Sequence, residues 1–192
     1  MRALKLSLLC LALGPSLALA GSPVVDNATL GASGRTYQGN LGINQAAGDA
    51  QQQANVRAMA IGTHAKATTE VRQRTDFLAD PARDSRASIH GNAFSNGNGL
   101  LGINQSAGAA TQQANAVRIG ISAVPQSIDD SILSQQNVSL ANGSEATDRA
   151  PGSRQVTTSD QAFTGSRGVI QLNQSAGVGN RMGNTLSVRV AD

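Results

Sequence analysis

GLLGINQSAGAATQQANAVRIGI, residues Gly99 to Ile121, decides how the rest of the chain is read. Gly39 to Ile61 (GNLGINQAAGDAQQQANVRAMAI) and Gly168 to Val190 (GVIQLNQSAGVGNRMGNTLSVRV) are copies of it. Aligned on Asn44, Asn104 and Asn173, the copies start 60 and then 69 residues apart. Over fourteen positions, Gly42–Asn55 against Gly102–Asn115, eleven residues are identical. Repeats of this kind bury their apolar faces by stacking on their neighbours.

Within each copy the apolar residues alternate. Leu41 and Ile43, Leu101 and Ile103, and Ile170 and Leu172 keep a period of two that continues to Ala47, Ala107 and Ala176. Met59 and Ile61, then Val117, Ile119 and Ile121, then Leu186, Val188 and Val190 repeat it in the second half. Period two is the strand signal. An Ala-Gly step separates the halves, and Gly48, Gly108 and Gly177 are expected to make the bend, because glycine tolerates positive φ. Each copy reads as strand, bend, strand.

The amides are more informative. Asn44, Asn104 and Asn173 share one position and are followed by Gln45, Gln105 and Gln174. Asn55, Asn115 and Asn184 lie eleven residues on, with Gln52-Gln53 and Gln112-Gln113 ahead of the first two. An amide side chain carries donors and an acceptor. Identical amides stacked at a strand spacing of about 4.8 Å hydrogen-bond along the stack. A lone Asn-Gln pair would read as solvated loop; columns repeated three times beside alternating Ile and Leu read as fibre ladders. The expected fold is all-β, a three-rung β-solenoid or cross-β stack of β-arch repeats with irregular linkers. Ile103, Val117, Ile119 and Ile121 are expected to form the dry face of the middle rung. In the third copy Arg181 and Met182 replace the Gln-Gln pair, Gly183 replaces alanine and Gln171 replaces glycine. A terminal rung protected from further pairing by charge would look like this; so would ordinary drift.

Around the repeats the chain divides into a signal segment 1–20, a leader 21–33, repeats at 34–62, 89–122 and 159–192, and linkers at 63–88 and 123–158. Arg2 and Lys5, the apolar run Leu6 to Leu13 and the small-x-small Ala18-Leu19-Ala20 form a secretory signal cleaved between Ala20 and Gly21. The leader, with Pro23, is expected to be mobile. The first linker concentrates charge and holds either a short helix over 68–78, ending before Pro81, or an irregular stretch. The second linker, punctuated by Pro125, Gly143, Pro151 and Gly152, is expected to be irregular.

Cleavage removes Cys10, the only cysteine, so the mature chain has no disulfide or thiolate metal site. It also removes Arg2 and Lys5 from the 15 basic residues, leaving 13 against 12 acidic ones. Without a basic patch, nucleic-acid binding has no electrostatic case. Tyr37, Phe77, Phe94 and Phe163 are all the aromatics, too few for an ordinary globular core. Ala93-Phe94-Ser95 and Ala162-Phe163-Thr164 are matching lead-ins to the second and third copies.

No reactive site stands out. Gly97-x-Gly99-x-x-Gly102 lacks the βαβ unit of a dinucleotide fingerprint. His64 and His90 have no partners at ligand spacing. Asp129-Asp130 sits in an irregular linker, whereas acid–base chemistry needs carboxylates held apart across a substrate. Of the Asn-x-Ser/Thr sequons at Asn27, Asn104, Asn137, Asn142 and Asn173, two fall on the ladder positions, which argues against glycans there. The reading is of a protein that is no enzyme, with no cofactor, metal or small-molecule substrate.

Three GINQxAGxxxQQxN blocks on unequal linkers behind a secretory signal resemble the fibre subunits of the bacterial functional amyloid Fap. Curli subunits also use Gln and Asn ladders, but with shorter, abutting repeats. The resemblance implies secretion through a dedicated outer-membrane pore, extracellular assembly and a place in the biofilm matrix. It implies three partners: the chain itself, a homologous major subunit and that outer-membrane pore. The major subunit typically carries Cys-x-x-Cys near its C-terminus; the mature chain has no cysteine and ends on its third block, which looks more like the minor, B-type subunit proposed to nucleate fibres. A major fibre subunit and a secreted β-solenoid adhesin are the alternatives.

Overall fold

The computed structural model describes residues 24–77, 80–123, 132–138 and 152–191. The signal segment with Cys10 and the Ala20–Gly21 junction, Asp129-Asp130 and Asn142 lie outside them. The described residues form eleven strands and no helix: β1 (Val25–Leu30), β2 (Gln38–Ala47), β3 (Gln52–Gly62), β4 (Glu70–Asp76), β5 (Asp84–Ile89), β6 (Asn98–Ala109), β7 (Gln112–Ser122), β8 (Ile132–Val138), β9 (Arg154–Thr158), β10 (Arg167–Val178) and β11 (Arg181–Ala191). Strands pair in parallel with their counterparts in the next copy. The four sheets run β1-β5-β9, β2-β6-β10, β3-β7-β11 and β4-β8.

The fold is therefore all-β and stacked. Rung one is β1 to β4, rung two is β5 to β8, and rung three is β9 to β11. The two inner sheets keep the offsets of the sequence repeat, with Asn44, Asn104 and Asn173 in one column and Asn55, Asn115 and Asn184 in another. Within a rung the chain snakes through the layers, the first sheet packing on the second, the second on the third and the third on the fourth. β2 and β3 share no sheet; they face each other through side chains, as a β-arch requires.

The segments expected to be mobile or irregular supply five of these strands. β1 lies in the leader, β4 and β5 in the first linker, β8 and β9 in the second. Where the sequence offered a short helix or an irregular stretch, residues Glu70–Asp76 form a strand, β4. It alternates strictly, burying Val71, Gln73 and Thr75. Two of these three are polar, so a hydrophobic template misses the period. Their polar groups are satisfied by the adjacent sheet: Gln73 Nε2 donates to Gln113 O at 3.0 Å, and Gln112 Nε2 donates to Thr75 Oγ1 at 3.1 Å. In the first sheet Asp26 pairs with Ser85 and Ala28 with Ala87, an offset one residue shorter than that of the arches. The corner after β1 spans 31–37, one residue fewer than the 90–97 corner after β5, and this slip hides the outer repeat from an alignment made on the arches.

The apolar core lies between the first two sheets. Leu30, Ile89, Phe94, Leu101 and Ile103 are buried there, with Leu41, Ile43, Phe163 and Leu172 packed against them. Phe94 and Phe163 stack with centroids 5.6 Å apart and planes 17° from parallel. Gly34 occupies their place in rung one, where an added Cβ would stand 2.5 Å from Phe94 Cδ1. The aromatic shifts to Tyr37, which lies over Gly97. Truncating a fully buried aromatic costs about 3–5 kcal/mol. Phe94→Ala is therefore expected to lower the guanidinium concentration that dissolves assembled protein, and an unchanged midpoint would contradict this core.

The dry face of the second half departs from expectation. Ile103 packs toward the first sheet, and Val117 is buried inside the arch in the column of Arg57 and Leu186. Ile121 and its column mates Ile61 and Val190 are exposed, as are Met59 and Val188. They lie toward the far ends of β3, β7 and β11, beyond the stretch where Arg57 reaches across the arch to Leu41 O.

Gly48, Gly108 and Gly177 have φ of 104°, 121° and 114°. The reversal is completed two residues later, at Ala50, Ala110 and Gly179, whose φ values are 51°, 53° and 71°. The glycines also meet a neighbour. A Cβ on Gly48 would lie 1.9 Å from Gly108 O, and one on Gly108 would lie 1.9 Å from Gly177 O. Glycine is thus required here by backbone conformation and by rung spacing together.

Candidate functional site

The recurring amides occupy all three spaces between the sheets, because adjacent strand residues point to opposite faces. The asparagines fill the arch between the second and third sheets. Asn104 is fully buried; its Nδ2 donates to Asn44 Oδ1 at 2.9 Å and to Ala54 O at 2.8 Å. Asn173 Nδ2 donates to Asn104 Oδ1 at 2.9 Å and to Ala114 O at 3.0 Å. In the facing column Asn115 Nδ2 donates to Asn55 Oδ1 and Ile103 O, both at 3.0 Å, and Asn184 Nδ2 to Asn115 Oδ1 at 3.0 Å. The columns are cross-linked by Asn55 donating to Asn44 Oδ1 at 2.8 Å and Asn115 to Asn104 Oδ1 at 3.1 Å. Each amide thus ties its rung to the next and closes its own arch.

Gln45, Gln105 and Gln174 point the other way, toward the first sheet. Gln105 Nε2 donates to Gln45 Oε1 at 2.8 Å and to Ser88 O at 2.9 Å, and Gln174 Nε2 to Gln105 Oε1 at 2.8 Å. Gln53 and Gln113 lie within the arch, donating to Gln45 O at 2.9 Å and Gln105 O at 3.0 Å. Gln52 and Gln112 face the fourth sheet, where Gln52 donates to Arg74 O at 2.6 Å. At rung three the last two columns end in Arg181 and Met182. Gln171 fills the column of Gly42 and Gly102 and donates to Ala116 O at 3.2 Å.

Some participants escape a reading made on asparagine and glutamine repeats. Ser106 and Ser175 accept from Gln53 and Gln113, at 2.8 and 3.0 Å; the signal was their shared column with Ala46. An ion cluster in which Asp26 and Arg83 are buried and Asp49 is exposed sits at the arch tip of rung one. Arg83 Nη2 donates to Asp49 Oδ2 at 2.9 Å, Arg83 Nη1 to Gly108 O at 3.1 Å, and Nη1 lies 3.1 Å from Asp26 Oδ2. Burial raises the Asp26 carboxyl above its ordinary range; Arg83 opposes the rise and Asp49 adds to it. Burial lowers the Arg57 guanidinium. Nothing in the repeat flags this cluster, because rungs two and three carry Ser85 and Arg154 in the Asp26 column. His64 and His90 are exposed, and the described residues hold no cluster of three His, Cys, Asp or Glu side chains. The arrangement holds rungs in register.

A family model described as "Functional amyloid protein FapB/FapC family" matches residues 16–191. The chain belongs to this family. The Fap proteins are structural, fibre-forming proteins. The chain is also 32% identical over 158 residues to "Functional amyloid subunit FapC" of Pseudomonas aeruginosa, a match covering 78% of this chain and 42% of that protein. The chain thus spans less than half the length of that FapC. No solved structure matches.

Proposed function

We propose that this Fap protein is a secreted fibre subunit that reaches the cell surface through the periplasm and an outer-membrane pore, and there starts polymerisation of a homologous major subunit in the biofilm matrix. One observation carries the reading: the stack is open at both ends. β2 and β10 are edge strands of the second sheet and β3 and β11 of the third, and the asparagine columns run to both edges. Unpaired strand edges recruit further strands. Bringing non-local rungs together is the costly step of nucleation, and a chain that carries three rungs covalently joined has that step lowered. The asparagine and glutamine columns are then the fibre ladder, and Gly48, Gly108 and Gly177 its bends.

Purified mature protein is expected to form thioflavin-positive fibres with a meridional reflection at about 4.7–4.8 Å. Substoichiometric amounts should shorten the lag of a FapC-type subunit several-fold. A persistently monomeric product would sink the fibre reading. The second reading, a bulk subunit, is favoured by the similarity to FapC; it takes over if the chain forms fibres but leaves the FapC lag unchanged.

A further inference from the structure

We infer that copies of this chain stack head to tail, the rung-three edge of one seated on the rung-one edge of the next, with Arg154 of the first closing onto the Asp26 and Asp49 carboxylates of the second. This rests on the fibre-subunit reading above and adds a polarity to it, with the side chains that set that polarity.

The amide ladder has a sense. Asn173 donates to Asn104 and Asn104 to Asn44; Asn184 donates to Asn115 and Asn115 to Asn55; Gln174 donates to Gln105 and Gln105 to Gln45. The Gln53 column runs the other way, Gln53 donating to Gln113 and Ser106 and Gln113 to Ser175 and Met182 Sδ, whereas both asparagine columns and the Gln45 column keep the first sense. The prevailing sense leaves Asn44 Nδ2 without an acceptor at the rung-one edge, and Asn184 Oδ1 without a donor at the rung-three edge, among the described residues. Head-to-tail stacking sets donors on acceptors; rung one against rung one sets donor on donor.

Charge runs the same way. Asp26, Ser85 and Arg154 form one column of the first sheet. Asp26 is 7% exposed, and its Oδ2 has no hydrogen bond despite the nearby guanidinium. With Asp49 it gives the rung-one tip two carboxylates against the single cation Arg83. Arg154 is exposed at the opposite edge, with no ion pair among the described residues. It lies against Gly177 as Asp26 lies against Gly48: a Cβ on Gly177 would be 2.8 Å from Arg154 Cδ, and one on Gly48 would be 3.0 Å from Asp26 Cγ. Relative to the arch-tip glycines the two side chains hold the same place, Asp26 turned into its own stack and Arg154 turned out of it toward a following copy. One strand spacing, about 4.8 Å, brings them together when the edges meet, and a desolvated pair of opposite charges fixes register where like charges are heavily penalised.

Backbone shape agrees. Added Cβ atoms at Gly99 and Gly168 would lie 2.0 and 2.1 Å from the carbonyl oxygens of Gly39 and Gly99, so in this column the Cβ direction points toward the rung-one edge. Gly39 itself, at that edge, meets nothing within 4 Å. In a head-to-tail stack that gap receives the Gly168 carbonyl of the next copy.

The test measures seeded elongation of the wild-type chain, Asp26→Arg, Arg154→Asp and an equimolar mixture of the two variants. Each variant alone is expected to elongate about tenfold more slowly or worse. The mixture should recover to within about threefold of wild type, because the unaltered ends of the two variants form the natural Arg–Asp pair and their altered ends form the same pair with the charges exchanged. Variants that match wild type, or a mixture as slow as its components, overturn the inference. Variants unchanged alone with a mixture faster than wild type would show the edges meeting like to like, and overturn it too. Gly39→Ala meets no atom within the chain and leaves the Arg83 cluster intact; its φ of 81° strains an alanine, so the stability of the free chain is measured beside its elongation rate. It should slow seeded elongation to a similar degree, and wild-type elongation would again overturn the proposal. If wild-type protein forms no fibres at all, the fibre reading has failed rather than the polarity.

Discussion

Gly108→Ala is expected to abolish ordered assembly. The substituted Cβ would sit 1.9 Å from Gly177 O, far inside any non-bonded contact, and the obstructing atom is backbone that cannot rotate away. Rung three would have to lift off rung two, breaking the β6–β10 ladder and with it the amide bonds from Asn173 and Gln174. The φ of 121° adds strain of about 1–2 kcal/mol for a residue with a Cβ. Gly62→Ala is the matched control, because nothing lies within 4 Å of its added Cβ and its φ is ordinary. The expected result is no thioflavin signal or cross-β reflection for Gly108→Ala on the timescale in which wild type and Gly62→Ala complete assembly. Wild-type fibres from Gly108→Ala would mean the rungs are not spaced as the stacked glycine column requires.

The inner layers were legible in the sequence because their constraint is periodic. A buried amide satisfied by its own copies must recur at the same place in every rung, and Asn44, Asn104 and Asn173 do. The outer layers carry a weaker constraint. β4 needs only residues that fit one half-buried face, and it uses Val71, Gln73 and Thr75, whose polar atoms bond to the backbone and amides of the third sheet. Backbone partners do not require identity between copies, so the alternation survives in burial while the residue types drift. β1, β5 and β9 share little beyond small inward side chains such as Ala28 and Ala87, and the one-residue corner slip displaces even those. The ion cluster was illegible for a different reason. Asp26, Asp49 and Arg83 are far apart in sequence and occur once; only the path of the chain around the arch tip brings them together. The apolar tails at Ile61, Ile121 and Val190 show the reverse error. Alternation marks a strand, but whether its apolar side is covered depends on how far the facing strand extends.

Asn104→Ala combined with Asn115→Ala should slow fibre formation far more than Asn27→Ala combined with Asn40→Ala. The first pair sits in the arch of the middle rung, where the two amides bond to Asn44, Asn55, Asn173 and Asn184 and to Ala54 O and Ile103 O. The second pair is exposed. With each buried bond worth about 1 kcal/mol net, and more where a partner is left unsatisfied, the double change should cost about 3–5 kcal/mol per chain. That is enough to raise the critical concentration for assembly by more than a hundredfold at about 1.4 kcal/mol per factor of ten. Equal lag times for the two double variants would count against load on the columns. Asn104→Asp separates hydrogen bonding from shape. It keeps the volume, but ionised it cannot donate to Asn44 Oδ1 or Ala54 O, and burial pushes its carboxyl above the unfolded value of about 3.9. The assembled state then binds more protons than the free chain, so its stability rises as pH falls through the raised value and is lost as pH rises. Asn104→Asp fibres should form best in mild acid and fail at neutral pH, whereas the Asn104→Ala defect should gain no such relief from acid. A pH-independent defect in Asn104→Asp would mean that the side chain at 104 is reached by water, and the column would then be a surface feature rather than the interior that holds one rung to the next.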